Sequence, residues 1–395
     1  MSDRGDADGH TRSPTSSPRD TAADGGFMRS VSVGLATLGI LASGCDSSSQ
    51  PPPDGGTDAG TGLGVLGRGS HSSAAIEVRE VVAESDGLRI PSDLAFHPTE
   101  DHQLWVTNEG DDSILVVSGV GSAEQSVARR RSPGADHFLA SPTSLAMGET
   151  GTFATVQGTD DVTQPSTPAD FMGPSLWPAD VDAFDGGHGS HLDMLHNSPA
   201  ATGVAWDHDN AFWVFDGYHN SITFYDFGED HGPGGEDHSG GTITRYVEGE
   251  VSYSSSTNSH IEFDRRTGLL YIADSGNARI AVLDTRSGTS GITIGPNYDG
   301  ARMSAMEGAS LTTLVDGASI GMGEPGGIAL HEDVLYVAER LRRVVHAFDL
   351  SGTRLDYVDL SDRATEIGGL EVDAEGRVYV TTRSPAGVLR LAPLP

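Results

Sequence analysis

Eight of the fifteen histidines in this 395-residue chain lie between positions 188 and 260. The run at 186–199, GGHGSHLDMLHNSP, holds His188, His191 and His196, and His219 and His260 follow at wider spacing. Neutral imidazole is the commonest metal ligand, and carboxylates such as Asp193 or Asp216 could complete a shell. His191 and His196 are five residues apart, which does not put both on one face of a helix, and no His-Glu-x-x-His pair is present. The run is therefore either part of a divalent-metal site, for zinc or calcium, or a polar insert held by its own hydrogen bonds.

A second candidate is cationic. Arg340, Arg342 and Arg343 crowd one loop of a strongly acidic chain. They suit either an anionic ligand bound through paired hydrogen bonds or local pairing with Glu332, Asp333 and Glu339. The Asp-rich turns NEGDDS and GTDDV lack the spacing of a dedicated calcium loop and fit ordinary turn chemistry.

Composition removes several classes. The formal net charge is −33, so there is no positive footprint for nucleic acid. Every basic residue is Arg, which excludes a Schiff-base lysine and a Walker-type phosphate loop. One cysteine, Cys45, excludes an internal disulfide, a Cys-rich metal site and a covalent haem. No Gly-x-Ser-x-Gly elbow or dinucleotide fingerprint appears, and no catalytic residue is assigned.

What precedes Cys45 is informative. Met28-Arg29 leads into SVSVGLATLGILASGC, a short basic start, an apolar run too short for a bilayer and small residues before the Cys. The ending Leu41-Ala42-Ser43-Gly44-Cys45 resembles the lipobox of bacterial lipoproteins, with Ala42 where Leu is usual. The resemblance implies cleavage before Cys45, lipidation of Cys45 and anchoring at the bacterial cell envelope, periplasmic or on the outer surface. Residues 28–44 are then a signal peptide. Residues 1–27 form a disordered extension, with translation expected to start at Met28. Residues 45–73, rich in Ser, Pro, Gly and Asp, form a flexible tether.

From residue 74 to 395 the chain repeats. Six gapless eleven-residue windows start at Leu104, Thr152, Phe212, Leu270, Leu335 and Val378. Each opens with apolar β-formers, turns through polar residues and resumes with a β-branched residue, which is a hairpin pattern. Each is preceded by a short strand such as PSDLAF or PGGIAL, and an outer strand such as TITRYVEG often follows. Four short strands per repeat predict an all-β, six-bladed β-propeller. At LYIADSGNARIAVLD the sequence resembles the NHL repeat. The segment AAIEVREVV before the first blade is placed to pair with the last blade and close the ring.

The propeller sorts the candidates. Loops between second and third strands, and links into each inner strand, open on one face. The run at 186–199 is expected in such a link, beside His219. His260 and Asp93 begin inner strands near the channel, and Asp216 ends a second strand. His231 and His238 are expected on the opposite face. The insert FMGPSLWPADVDAFDGG is expected to cover the channel mouth as a lid. Among NHL propellers, the lyase that completes peptide amidation holds zinc with inner-strand histidines. His260 resembles one such ligand displaced by one position, whereas Ser92, Thr143, Thr202, Gly326 and Gly368 stand at the other places.

Two functions remain. The first is a lipid-anchored extracytoplasmic scaffold that binds a protein or small-molecule ligand on one face through Asp93, Asp216 and the three arginines. The second is a metal-dependent lyase or hydrolase at the channel mouth, using His188, His191, His196, His219 and His260.

Overall fold

A strand of four to eight residues with one apolar face buries it only against another sheet, so each four-stranded repeat needs neighbours. The computed structural model of the chain describes residue 66 and residues 69–149, 151–159, 172–185, 191–235 and 237–394. Cys45, the signal-like run and His188 lie outside the described residues.

Six sheets, each built on an antiparallel four-stranded blade, form a ring. Their inner strands are Pro91–Phe96, Pro142–Met147, Ala201–His208, Ile261–Asp264, Pro325–His331 and Ile367–Val372. The second strands are Leu104–Asn108, Thr152–Gln157, Ala211–Asp216, Leu269–Asp274, Val334–Glu339 and Val378–Arg383. The ring closes as the sequence implies. Glu77–Ala83 is the outer strand of blade 6, antiparallel to Ala386–Ala392 with Glu77 opposite Ala392 and Ala83 opposite Gly387. Just before it, the chain docks on blade 5: Ser72 bridges Asp359, the His71 ring stacks on Tyr357 at 4.0 Å, and Ser73 Oγ donates to Asp362.

Six separate apolar clusters hold the ring, one at each blade interface. In five blades the second residue of the repeat window fills the interface with the next blade: Trp105, Trp213, Tyr271, Tyr336 and Tyr379. Blade 2 differs. Its register pairs Met147 with Phe153, so Phe153 takes the place that Leu104 holds in blade 1, and the gapless window from Thr152 is one residue out. A slip of one residue exchanges the faces of a strand. Phe153 accordingly joins Trp105 at the blade 1–2 interface.

The insert after the second blade is not a lid in its described part. Ser175–Pro178 and Asp193–Met194 are the third and fourth strands of blade 2. Trp177 and Phe184 are fully buried against Trp105 and Phe153, which is why this stretch is aromatic. Phe171, Gly186 and Gly187 of the insert, and Val162, where the window from Thr152 places its third strand, lie outside the described residues. The long insert of blade 4 reaches the other way. Arg302–Glu307 adds in parallel to the outer strand of blade 3, Thr242–Tyr246, and Thr289–Ser290 pairs on its far side.

Candidate functional site

In the first five blades the link into the inner strand is clipped by the residue that ends the second strand. Asn108 accepts from the Arg89 amide, Asp274 from the Ser252 amide and Glu339 from the Gly323 amide at 2.8 Å. Gln157 donates to the Phe138 carbonyl, and Asp216 accepts from Ser198 Oγ at 2.8 Å. Asp216, proposed above as a ligand contact, is thus fully buried and also accepts from the amide and Nδ1 of His219. Ser198 Oγ in turn meets the hydroxyl of Tyr225, whose pKa burial pushes well above the ordinary phenol value.

At the channel, the inner strands are crowded, and five of the six are bulged at their starts. Gly203 shows how closely they approach: a Cβ there would lie 2.4 Å from the Ser259 carbonyl oxygen. Ser92 and Thr143 each donate to the next inner strand, to Pro142 and Ala201, both at 2.7 Å. Asp93 and His260 do meet. His260 Nδ1 stands 3.3 Å from Asp93 Oδ1, while its Nε2 faces the Thr143 carbonyl at 3.3 Å. Asp93 also accepts from Ser144 Oγ at 2.5 Å and the Leu145 amide at 3.1 Å. Burial raises the Asp93 pKa against the opposing pull of His260.

Two further channel carboxyls, Glu262 and Glu371, escaped sequence reading because single acids on short strands carry no pattern. Burial, then the Glu371 and Asp93 charges, push Glu262 well above the usual carboxylate range. Burial, then Asp93 and Asp373, raise Glu371 to about 7 against a bond from the Val372 amide. An acid whose folded pKa is raised stabilises the fold below its unfolded pKa and loses that contribution as pH rises through the folded value. Below about pH 6.5 the lowered His191 gives the opposite slope, so it is between about pH 6.5 and pH 8 that the melting temperature should fall. Glu371→Gln should flatten that slope and melt higher than wild type at pH 8; an unchanged slope would remove the channel carboxyl as its source.

The arginine loop is locally paired. Arg340 bonds Glu366 at 2.8 Å and lies 3.6 Å from Glu324, while Arg342 lies 3.5 Å from Glu339. Arg343 has φ +57° and donates to the Leu341 carbonyl. It occupies the same left-handed turn position as Asp112, Asn220 and Ala278.

The remaining histidines separate from His219 and His260. Asp193 and Met194 form the outer strand of blade 2, so His191 and His196 flank that strand rather than sitting together in a link. His191 stacks on Phe138 at 3.9 Å, and His196 Nδ1 bonds Asp299 Oδ1 at 2.6 Å, from the arm of blade 4. The connection between the third and fourth strands of blade 3 folds against them and brings His231 and His238. The His231 ring lies 5.8 Å from His191, and the His238 ring 6.2 Å from His196. Burial and the neighbouring imidazoles lower His191 to about 4, so its ring is neutral at pH 7. Sequence reading set His231 and His238 apart because strands of four and two residues leave no period to reveal where blade 2 ends.

A cavity of about 510 Å³ opens on the other face of blades 1 and 2 between His97, Gln103, Arg130 and Asp180. Arg130 there is paired with Asp185 at 3.0 Å, and the polar side chains lining the cavity are all partly or fully exposed.

No protein-family model matches the chain, and no curated protein matches it in sequence. Solved structures define the class as six-bladed β-propellers. An auxiliary nutrient binding protein from Bacteroides ovatus is 13% identical, with TM-score 0.53 over 81% of this chain and 77% of that one. One from Bacteroides thetaiotaomicron is 10% identical, with TM-score 0.51 over 80% and 76%. A luciferin-regenerating enzyme is 11% identical, with TM-score 0.51 over 81% and 96%. At such identities the likeness is one of fold.

Proposed function

We propose that this protein is an NHL-type propeller that binds a ligand at the bacterial envelope, held there by a lipid on Cys45. The carrying observation is that three of the six exposed large apolar side chains among the described residues lie on one face, whereas Ile292, Leu355 and Leu394 lie elsewhere. Ile90, Tyr218 and Leu341 are each close to half exposed, at 45%, 48% and 47%. Ile90 enters blade 1, Tyr218 tops blade 3 and Leu341 tops blade 5, so all three stand on one face of the ring. Single exposed apolar residues are ordinary, but three on alternate blades of one rim form a surface that favours a partner. Backbone bonds hold each one's loop: Glu109 N to Ile90 O at 3.2 Å, Tyr218 N to Pro199 O at 3.3 Å and Arg340 N to Glu324 O at 3.1 Å. The surface is therefore preformed and needs little ordering to bind. Arg342, 60% exposed, supplies a cation beside it. The nutrient-binding description carried by two of the similar structures agrees with this reading.

The test is binding of the full chain to arrays of soluble glycans and peptides, beside Tyr218→Ser/Leu341→Ser. Saturable binding to one class, weakened about tenfold or more in the double variant at unchanged melting temperature, is expected. Binding that ignores the double substitution, or no binding to either class, would overturn the reading.

A further inference from the structure

Away from that face, three ligating atoms converge at the edge between blades 2 and 3. Asp193 Oδ1 lies 2.7 Å from His238 Nδ1 and 3.3 Å from His231 Nε2. The two imidazole nitrogens are 3.3 Å apart. In a tetrahedral zinc site with bonds of about 2.0–2.1 Å, ligand atoms stand about 3.3 Å from one another. Two edges of the triangle already have that length.

The tautomer of His231 points the same way. Its Nδ1 faces the Gly232 carbonyl at 2.9 Å, and a carbonyl can only accept, so Nδ1 carries the hydrogen. In the neutral ring Nε2 then presents a lone pair to a carboxylate oxygen. Two electron-rich atoms pointed at each other are unfavourable, and a metal ion between them, a proton on Nε2 or a bond from His238 Nδ1 relieves this. A second bond from the other ring nitrogen to a carbonyl is also how proteins orient metal-binding imidazoles.

The scaffold around the three atoms is built. Asp193 is 2% exposed, and its backbone belongs to the outer strand of blade 2. The connection carrying both histidines is bonded to that strand's flank by His231 N to Leu192 O at 3.4 Å and Gly234 N to His191 O at 3.1 Å. It wraps His231 tightly: a Cβ on Gly235 would lie 2.4 Å from Nδ1. His191 stands behind His231, and its buried Nδ1 has no hydrogen-bond partner among the described residues.

We infer that Asp193, His231 and His238 form a zinc site that staples blade 2 to blade 3, with His191 or water completing the shell. Nitrogen and carboxylate donors suit zinc and disfavour calcium, which takes oxygen ligands only. The outer strand of blade 2 has two residues, too few to hold its edge by ladder bonds alone. A metal joining it to the neighbouring blade supplies that hold.

Zinc chloride titrated into the full chain carrying Cys45→Ser tests this, by equilibrium dialysis with metal quantification and by melting temperature. One zinc per chain and a higher melting temperature are expected. His231→Ala and His238→Ala should each weaken zinc by about a hundredfold or more, while His208→Ala should not. No stoichiometric zinc, or zinc retained by the His231→Ala/His238→Ala double variant, would overturn the site. If the alanine variants do not fold, cobalt(II) added to the Cys45→Ser chain decides: intense visible bands of a four-coordinate ion support the site, and a weak octahedral spectrum sinks it.

Discussion

Deleting residues 70–83 should abolish cooperative folding of the propeller. The deletion removes the outer strand of blade 6 and with it Val81 and Val82, 6% and 1% exposed. Burying one such side chain is worth about 1.5–3 kcal/mol, and a whole domain has only about 5–15 kcal/mol in hand. The deletion also uncovers Ala386–Ala392, a seven-residue apolar edge that would pair with other chains. The expected result is a broad, low melting transition and concentration-dependent oligomers in sedimentation. A permuted chain with residues 70–86 moved behind the last residue should recover the wild-type transition within a few degrees. Occupancy of that edge, not its position in the chain, is what closure needs. A deleted chain that melts as wild type would mean that the six interfaces suffice without the closing strand.

Asp274→Ala should be the most costly single substitution among the clips. Asp274 is fully buried and accepts from the Ser252 amide at 2.8 Å, from Asn277 at 3.0 and 3.1 Å, and from Arg279 Nε at 2.7 Å. Alanine leaves the Ser252 amide and the Arg279 Nε without their acceptor, while the other Arg279 nitrogens keep Glu250 O and Thr313 Oγ1. The loss is about 3 kcal/mol, or a melting temperature lower by about 5 °C for a domain of this size. Asp274→Asn keeps one acceptor oxygen but not the charge, and should cost about half as much. Thermal denaturation of the two variants separates the contributions. Equal costs would assign the stability to the ion pair alone, and a silent alanine would show that the link into blade 4 needs no clip.

The fold was legible because its determinants are local and repeated. The hairpin windows located the second strand of every blade, and AAIEVREVV announced the closing strand. Blade 2 was read least well. Phe153 sits one place earlier in its strand than the aromatics of the other blades, and a gapless alignment cannot express that shift. Its third and fourth strands, SLWP and Asp193-Met194, are too short for periodicity and come after the longest insert. The candidate site suffered for the same reason. With the end of blade 2 misplaced, His191 and His196 went to a link and His231 and His238 to another face, although these four crowd one edge. Position in a repeat also disguised roles. Asp216 looked like a ligand contact, but its counterparts Asn108, Gln157, Asp274 and Glu339 all tie down links.

The docking of residues 71–73 on blade 5 has a mechanical meaning. Any pull on the protein through its N-terminal segment arrives first at the buried Leu66, then at the His71–Tyr357 stack and the Ser72–Asp359 bridge, and only then at the closing strand. The blade 5 docking and the closing strand are in series on different blades, so a load must strip the first before it reaches the second. Small forces are thus absorbed by blade 5, at the margin of the ring, and its clasp bears tension only after that contact has yielded.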